Sequence, residues 1–114
     1  MKFATPLISV LIIIAVLIPG KDLPDVSIGG YDKLIHIAMF ATWAVAVRYD
    51  FNTRFRFAAI FIAGLLFSLL TEVLQLLVEG RSFDLYDMVA DAAGLVLGLL
   101  LSGWVLKWID RLMK

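Results

Sequence analysis

Cysteine is absent from this chain of 114 residues. That excludes disulfides, thiolate catalysis and zinc clusters built on thiolates. Net charge is absent as well, because ten basic side chains balance ten acidic ones. No global field therefore draws the protein to nucleic acid, and no nucleic-acid partner is expected. Charged residues make up only 18% of the chain, and histidine occurs once. What is abundant is apolar surface, with 62% of residues hydrophobic against roughly 45–50% in a soluble domain. So small a water-soluble protein has too little interior to hide it. The bilayer is the alternative solvent.

Four apolar runs carry this composition: Phe3 to Ile18, Leu34 to Val47, Phe57 to Val78, and Leu85 to Trp108. None shows the period of two of a barrel strand, so helices are expected. At about 1.5 Å per residue the first run barely crosses a hydrocarbon core of about 30 Å. Lys2 before it raises a signal peptide as a rival, but the bulky stretch at Val16, Leu17 and Ile18, followed by Pro19, lacks a small-x-small cleavage pattern. An uncleaved first helix is the expectation. The fold class is therefore all-α, one domain over residues 1–114, an integral membrane bundle of four transmembrane helices at roughly 3–18, 31–48, 56–78 and 85–108.

Basic residues in short loops stay on the cytoplasmic side. Lys2, Arg48, Arg54, Arg56, Lys107, Arg111 and Lys114 fall on one side, against Lys21, Lys33 and Arg81 on the other. Both termini are thus expected inside, with the first and third connections facing out. Trp43, Trp104 and Trp108 stand towards the cytoplasmic ends as interfacial anchors or as lipid-facing bulk.

Ionisable residues inside a membrane helix cost about 2.5–3.5 kcal/mol on insertion scales. Those of this chain follow helical spacing. Asp32 and His36 are four apart; Ser68, Glu72, Gln75 and Glu79 share a face; so do Asp84, Asp87, Asp91 and Gly94. Glu72 lies six residues inside Val78, and Asp91 six inside Leu85, each about 9 Å down. His36 is somewhat shallower. Three helices thus bring polar side chains to similar depth beneath the outer surface, and two carboxylates there repel unless a cation, a shared proton or Arg81 intervenes. Asp32 and Asp84 are equally well read as helix caps. A lone His or Gln in such a place is more often an interhelical hydrogen-bond partner than a catalyst. Ala90, Gly94, Gly98 and Ser102 form a small-residue stripe, and Gly64 and Ser68 a shorter one.

The ordered set Asp32-Lys33-x-x-His36, Glu72-x-x-Gln75, Gly80-Arg81-Ser82-Phe83-Asp84-x-x-Asp87 and Gly94 resembles the VanZ-like family of membrane proteins. The resemblance covers Asp32 to Gly98, with Asp91 where the family commonly has Asn. It implies a bacterial cytoplasmic membrane protein with a cell-envelope role, in a family named for a protein associated with low-level teicoplanin resistance. Asp32, Lys33, His36, Glu72, Gln75, Arg81, Asp84 and Asp87 are the matching positions.

Two functional expectations compete. In one, Lys33 and Arg81 hold the phosphate of an anionic lipid or lipid-linked envelope intermediate, Arg81 through its bidentate fork. His36 is then the candidate general acid or base, with Glu72 orienting it or sharing its proton. Asp84, Asp87 and Asp91 are candidates for a hard divalent cation. In the other, the polar cluster is structural, within a membrane scaffold or a homo-oligomer. A channel is disfavoured, because the cytoplasmic halves are too apolar.

Overall fold

The computed structural model of the protein describes residues 3–17, 31–51, 56–78 and 85–113, the side chains of Tyr31 and Asp32 excepted. Among these residues every regular element is a helix: α1 (Ala4–Val16), α2 (Tyr31–Phe51), α3 (Phe57–Gln75) and α4 (Leu85–Leu112). The all-α bundle expected from the apolar runs is the fold. Three spans, Lys33–Phe51, Phe57–Gln75 and Leu85–Leu112, are long and apolar enough to cross a membrane, and α1 is a shorter apolar helix. Its 13 residues reach about 20 Å.

Burial runs opposite to that of a water-soluble protein. Leu7, Leu66, Leu77, Leu100 and Trp104 face outward, whereas Ser68, Thr71, Glu72, Gln75 and Asp91 are buried. Polar atoms inside and apolar atoms outside describe a membrane protein.

The helices alternate in direction. Along α1 and α2, Trp43 Nε1 donates to Ser9 Oγ at 3.0 Å, and Asp50 meets the opening of α1, so the two run antiparallel. Along α2 and α4 the partners advance together, Lys33 with Asp87, His36 with Asp91, Ala41 with Gly98. These two are therefore parallel, and they form the main interface. Helix α3 runs against α4, with Ser68 on Asp91 and Gly64 on Leu95.

The small-residue stripe makes the parallel interface. A Cβ on Gly94 would overlap the carbonyl oxygen of Ile37, and one on Gly98 that of Ala41. Backbone thus meets backbone, as small residues allow between membrane helices. Beside this seam lies an apolar core of Ile12, Val16, Phe40, Trp43, Ala44, Val47, Ile60, Leu95 and Leu99.

Two local features account for the helix ends. Phe3, at the N-cap of α1, gives no side-chain cap. Instead the Asp50 carboxylate, from the last turn of α2, accepts from the Ala4 N–H at 3.1 Å and the Thr5 N–H at 2.5 Å. Pro6 has no N–H to satisfy, so this one carboxylate serves the donors that a helix start leaves orphaned. At the other end of α3, Leu76, Leu77 and Val78 donate to Val73, Leu74 and Gln75 in i to i−3 bonds. The regular helix accordingly closes at Gln75 rather than Val78, tightening into single turns.

Trp43 corrects an expectation. It is only 7% exposed, with its ring stacked on Phe67 at 5.8 Å between centroids. It is neither an interfacial anchor nor lipid-facing bulk. Its indole N–H finds Ser9, which lets the ring be buried without an orphan donor. Trp104 and Trp108 do face outward.

Candidate functional site

The polar cluster forms where α2, α3 and α4 meet, at the end of the bundle that holds the first turns of α2 and α4. The face of α3 that carries it is Ile60, Gly64, Ser68, Thr71, Glu72 and Gln75, and all six are buried. Spacings of four, then three, one and three keep these side chains on one side of a helix of 3.6 residues per turn. On α4 the buried face includes Asp87, Ala90, Asp91, Gly94 and Gly98. The two glycines bring α2 so close that His36 reaches Asp91.

A chain of polar contacts crosses the three helices. Ser68 Oγ donates to Asp91 Oδ2 at 2.6 Å. Asp91 Oδ1 and His36 Nδ1 are hydrogen-bonded at 2.8 Å. His36 Nε2 stands 3.6 Å from Asp87 Oδ2. Lys33 Nζ donates to Asp87 Oδ1 at 2.5 Å. Exposure falls steeply along the series: the Lys33 side chain is 31% exposed, Asp87 11%, His36 7% and Asp91 0%. The series leads from the surface to a fully buried carboxylate.

Glu72 completes the cluster, fully buried on α3. One oxygen of Glu72, one of Asp91 and one ring nitrogen of His36 all lie within 4.8 Å of one another. Those three residues are the ones whose atoms could hold a metal ion among the described residues. Gln75, 1% exposed, sits on the same face of α3, one turn beyond Thr71 and two beyond Ser68. Asp91 is the centre of the arrangement, since it alone touches both α3 and α2 by hydrogen bond in this chain of contacts. The imidazole lies between two carboxylates, a geometry suited to holding a proton or an ion at a fixed place.

Of the residues singled out in the sequence, Lys33, His36, Glu72, Gln75, Asp87 and Asp91 gather at this end. Asp32, Arg81 and Asp84 fall outside the described side chains, and Glu79 with them. The hydrogen bond on His36 Nδ1 is to Asp91, and Glu72 stands close to both. Thr71 belongs to this buried face as well, though no charge marks it in the sequence. Its hydroxyl donates to the Ser68 carbonyl at 2.7 Å, a local bond that satisfies a buried hydroxyl next to the cluster. Its place three residues after Ser68 was the available signal.

A cavity of about 340 Å³ opens between α1 and α2, one turn along from His36. It is lined by Ile8, Leu11, Ile12, Ala38 and Met39, with Ala15 and Thr42, and is apolar.

Comparison with known proteins bears on this arrangement at the level of the family. A family model described as VanZ/LLP1 matches residues 5–106, which include α2, α3 and most of α1 and α4. No curated protein and no solved structure matches the chain.

Proposed function

The chain belongs to the VanZ/LLP1 family, and from that premise we propose that it binds or processes an anionic lipid or lipid-linked envelope intermediate at an outward-facing pocket of the bacterial cytoplasmic membrane. The observation that carries this reading is the graded cluster from half-exposed Lys33 to fully buried Asp91, built from three helices at one end of the bundle. An ammonium at the exposed end of a buried polar cluster suits a phosphate, and the apolar cavity between α1 and α2 suits an acyl chain beside it. Seven of the ten basic residues lie at the other ends of the helices or in the connection there, which supports an outward cluster. Arg81 is the second phosphate ligand of the proposal, with Asp32, Gln75 and Asp84 as polar lining. His36 would act as the general acid or base, oriented by Asp91, with Glu72 sharing its proton.

Native mass spectrometry of the protein released from nanodiscs of phosphatidylglycerol and phosphatidylcholine tests the lipid reading. Lys33→Gln and Arg81→Ala should each reduce retained phosphatidylglycerol relative to phosphatidylcholine. Retention unchanged in both variants would remove the phosphate site. A link to glycopeptide resistance belongs to the same proposal and is read as the teicoplanin susceptibility of a deletion strain.

A second reading, a non-catalytic scaffold or assembly subunit, is favoured by one observation. The hydrogen bonds of Asp91 to Ser68 and His36 tie α3 and α2 to α4, as a purely structural network would.

A further inference from the structure

We propose that His36, Glu72 and Asp91 are the ligands of a divalent transition-metal ion bound between α2, α3 and α4. The assignment stands whether or not a lipid binds, and with the ion in place it gives His36 and Glu72 a ligand role instead of the acid–base role described above.

The argument begins with distances. Three atoms mutually within 4.8 Å share a point no more than about 2.8 Å from each, while metal–nitrogen and metal–oxygen bonds are about 2.0–2.2 Å. Closing onto an ion therefore takes each donor less than about 1 Å. His36 Nδ1 and Asp91 Oδ1 are already 2.8 Å apart, and two donors at right angles around such an ion are separated by about 2.9 Å. The pair has the spacing of one edge of a coordination polyhedron.

The surroundings give an independent reason. A metal-bound imidazole characteristically presents its other ring N–H to a carboxylate, and a ligating carboxylate is itself hydrogen-bonded. The second is here as a hydrogen bond, the first as a near approach. Asp87 Oδ2 lies 3.6 Å from His36 Nε2, and Lys33 fixes Asp87 from the far side. Ser68 Oγ donates to the Asp91 oxygen that His36 leaves free. With Nδ1 on the ion, the ring carries its proton on Nε2, facing Asp87. Nδ1 and Asp91 Oδ1 must both be unprotonated to bind the ion, so the hydrogen between them leaves that edge: a neutral ring moves it to Nε2, and an imidazolium, which already carries one there, loses it to solvent.

One imidazole with two carboxylates suits zinc, manganese, iron or cobalt better than an ion that takes oxygen alone. This set differs from the aspartates that sequence spacing suggested for a hard cation. Asp87 now supports a ligand instead of being one. Three protein ligands leave a coordination position open, which is where an oxygen of a bound molecule or a water would sit.

His36 is the only histidine in the chain, which makes the test direct. The full-length protein, labelled with ¹⁵N-histidine and stripped with chelator in nanodiscs, is titrated with Zn²⁺ and followed by NMR of the imidazole nitrogens. The expected result is saturation at one equivalent with the Nδ1 resonance shifted and the Nε2 resonance that of a protonated nitrogen. Two unperturbed nitrogens, or metal on Nε2, would overturn the assignment. In parallel, Co²⁺ affinity should fall about a hundredfold or more in Asp91→Asn and Glu72→Gln, since loss of an outer-shell partner such as Asp87 in Asp87→Asn already costs about 10–100-fold. Asp110→Asn, at the opposite end of α4, should bind as the parent does. Equal affinity in parent, Asp91→Asn and Glu72→Gln would overturn it as well. Helicity by circular dichroism selects the folded variants, and the histidine spectrum of the parent decides the matter if none folds.

Discussion

His36 and Asp91, 55 residues apart in the chain, are joined by a 2.8 Å hydrogen bond at the parallel seam of α2 and α4. Asp91 is wholly buried, and its second oxygen is taken by Ser68. One carboxylate thus holds three helices in register. Truncating it would leave a buried imidazole and a buried hydroxyl without that partner, each loss costing about 1–3 kcal/mol. Asp91→Ala should lower the thermal midpoint in detergent well below that of Asp91→Asn, whose amide keeps the shape. Equal midpoints for the two variants would contradict the role given to this residue.

The glycines of the seam should divide sharply by position. Gly94→Val and Gly98→Val force a side chain onto the carbonyls of Ile37 and Ala41 and should abolish the monodisperse folded species on size exclusion. Gly103 has open space around its missing Cβ. Gly103→Ala should therefore be tolerated and gain up to about 1 kcal/mol of helix propensity. A tolerated valine at Gly94 would mean that the helices do not meet there.

Asp50 caps a helix it does not belong to. Asp50→Ala should cost about 1 kcal/mol, in line with loss of an ordinary N-cap. The effect should be local, seen as faster hydrogen exchange at the start of α1 with little change in α3. Uniformly faster exchange in all four helices would argue against a local cap.

The tryptophans offer a spectroscopic check on the inward turn of Trp43. With Trp104→Phe and Trp108→Phe combined, the remaining fluorescence comes from a ring only 7% exposed. Brominated lipids should quench it weakly. The variant that keeps Trp104 alone, 72% exposed, should be quenched strongly.

Ligand site and scaffold part company in cells. If the cluster is structural only, His36→Ala and Glu72→Gln reduce any envelope phenotype in proportion to protein level. The ligand reading expects at least one of them to accumulate normally and still lose the phenotype.

The helices were legible because each run is continuously apolar, and the faces because a pitch of 3.6 residues places Ser68, Glu72 and Gln75, or Asp87, Asp91 and Gly94, on one side whatever surrounds them. Similar depth followed by counting from the ends of the apolar runs, although the regular helix of α3 closes three residues before the end of its run. Within a helix, then, local geometry decides which residues share a face.

Between helices it leaves nearly everything. Spacing could not say that His36 meets Asp91, because that depends on how far α2 is rotated and how closely it approaches α4. The approach is set by Gly94 and Gly98, which admit the α2 backbone where any Cβ would hold it off. The inward turn of Trp43 and the cap that Asp50 gives to α1 have the same origin. Sequence determined which residues share a face and a depth; the tertiary structure alone chose their partners, since contact across a seam is a property of two surfaces at once.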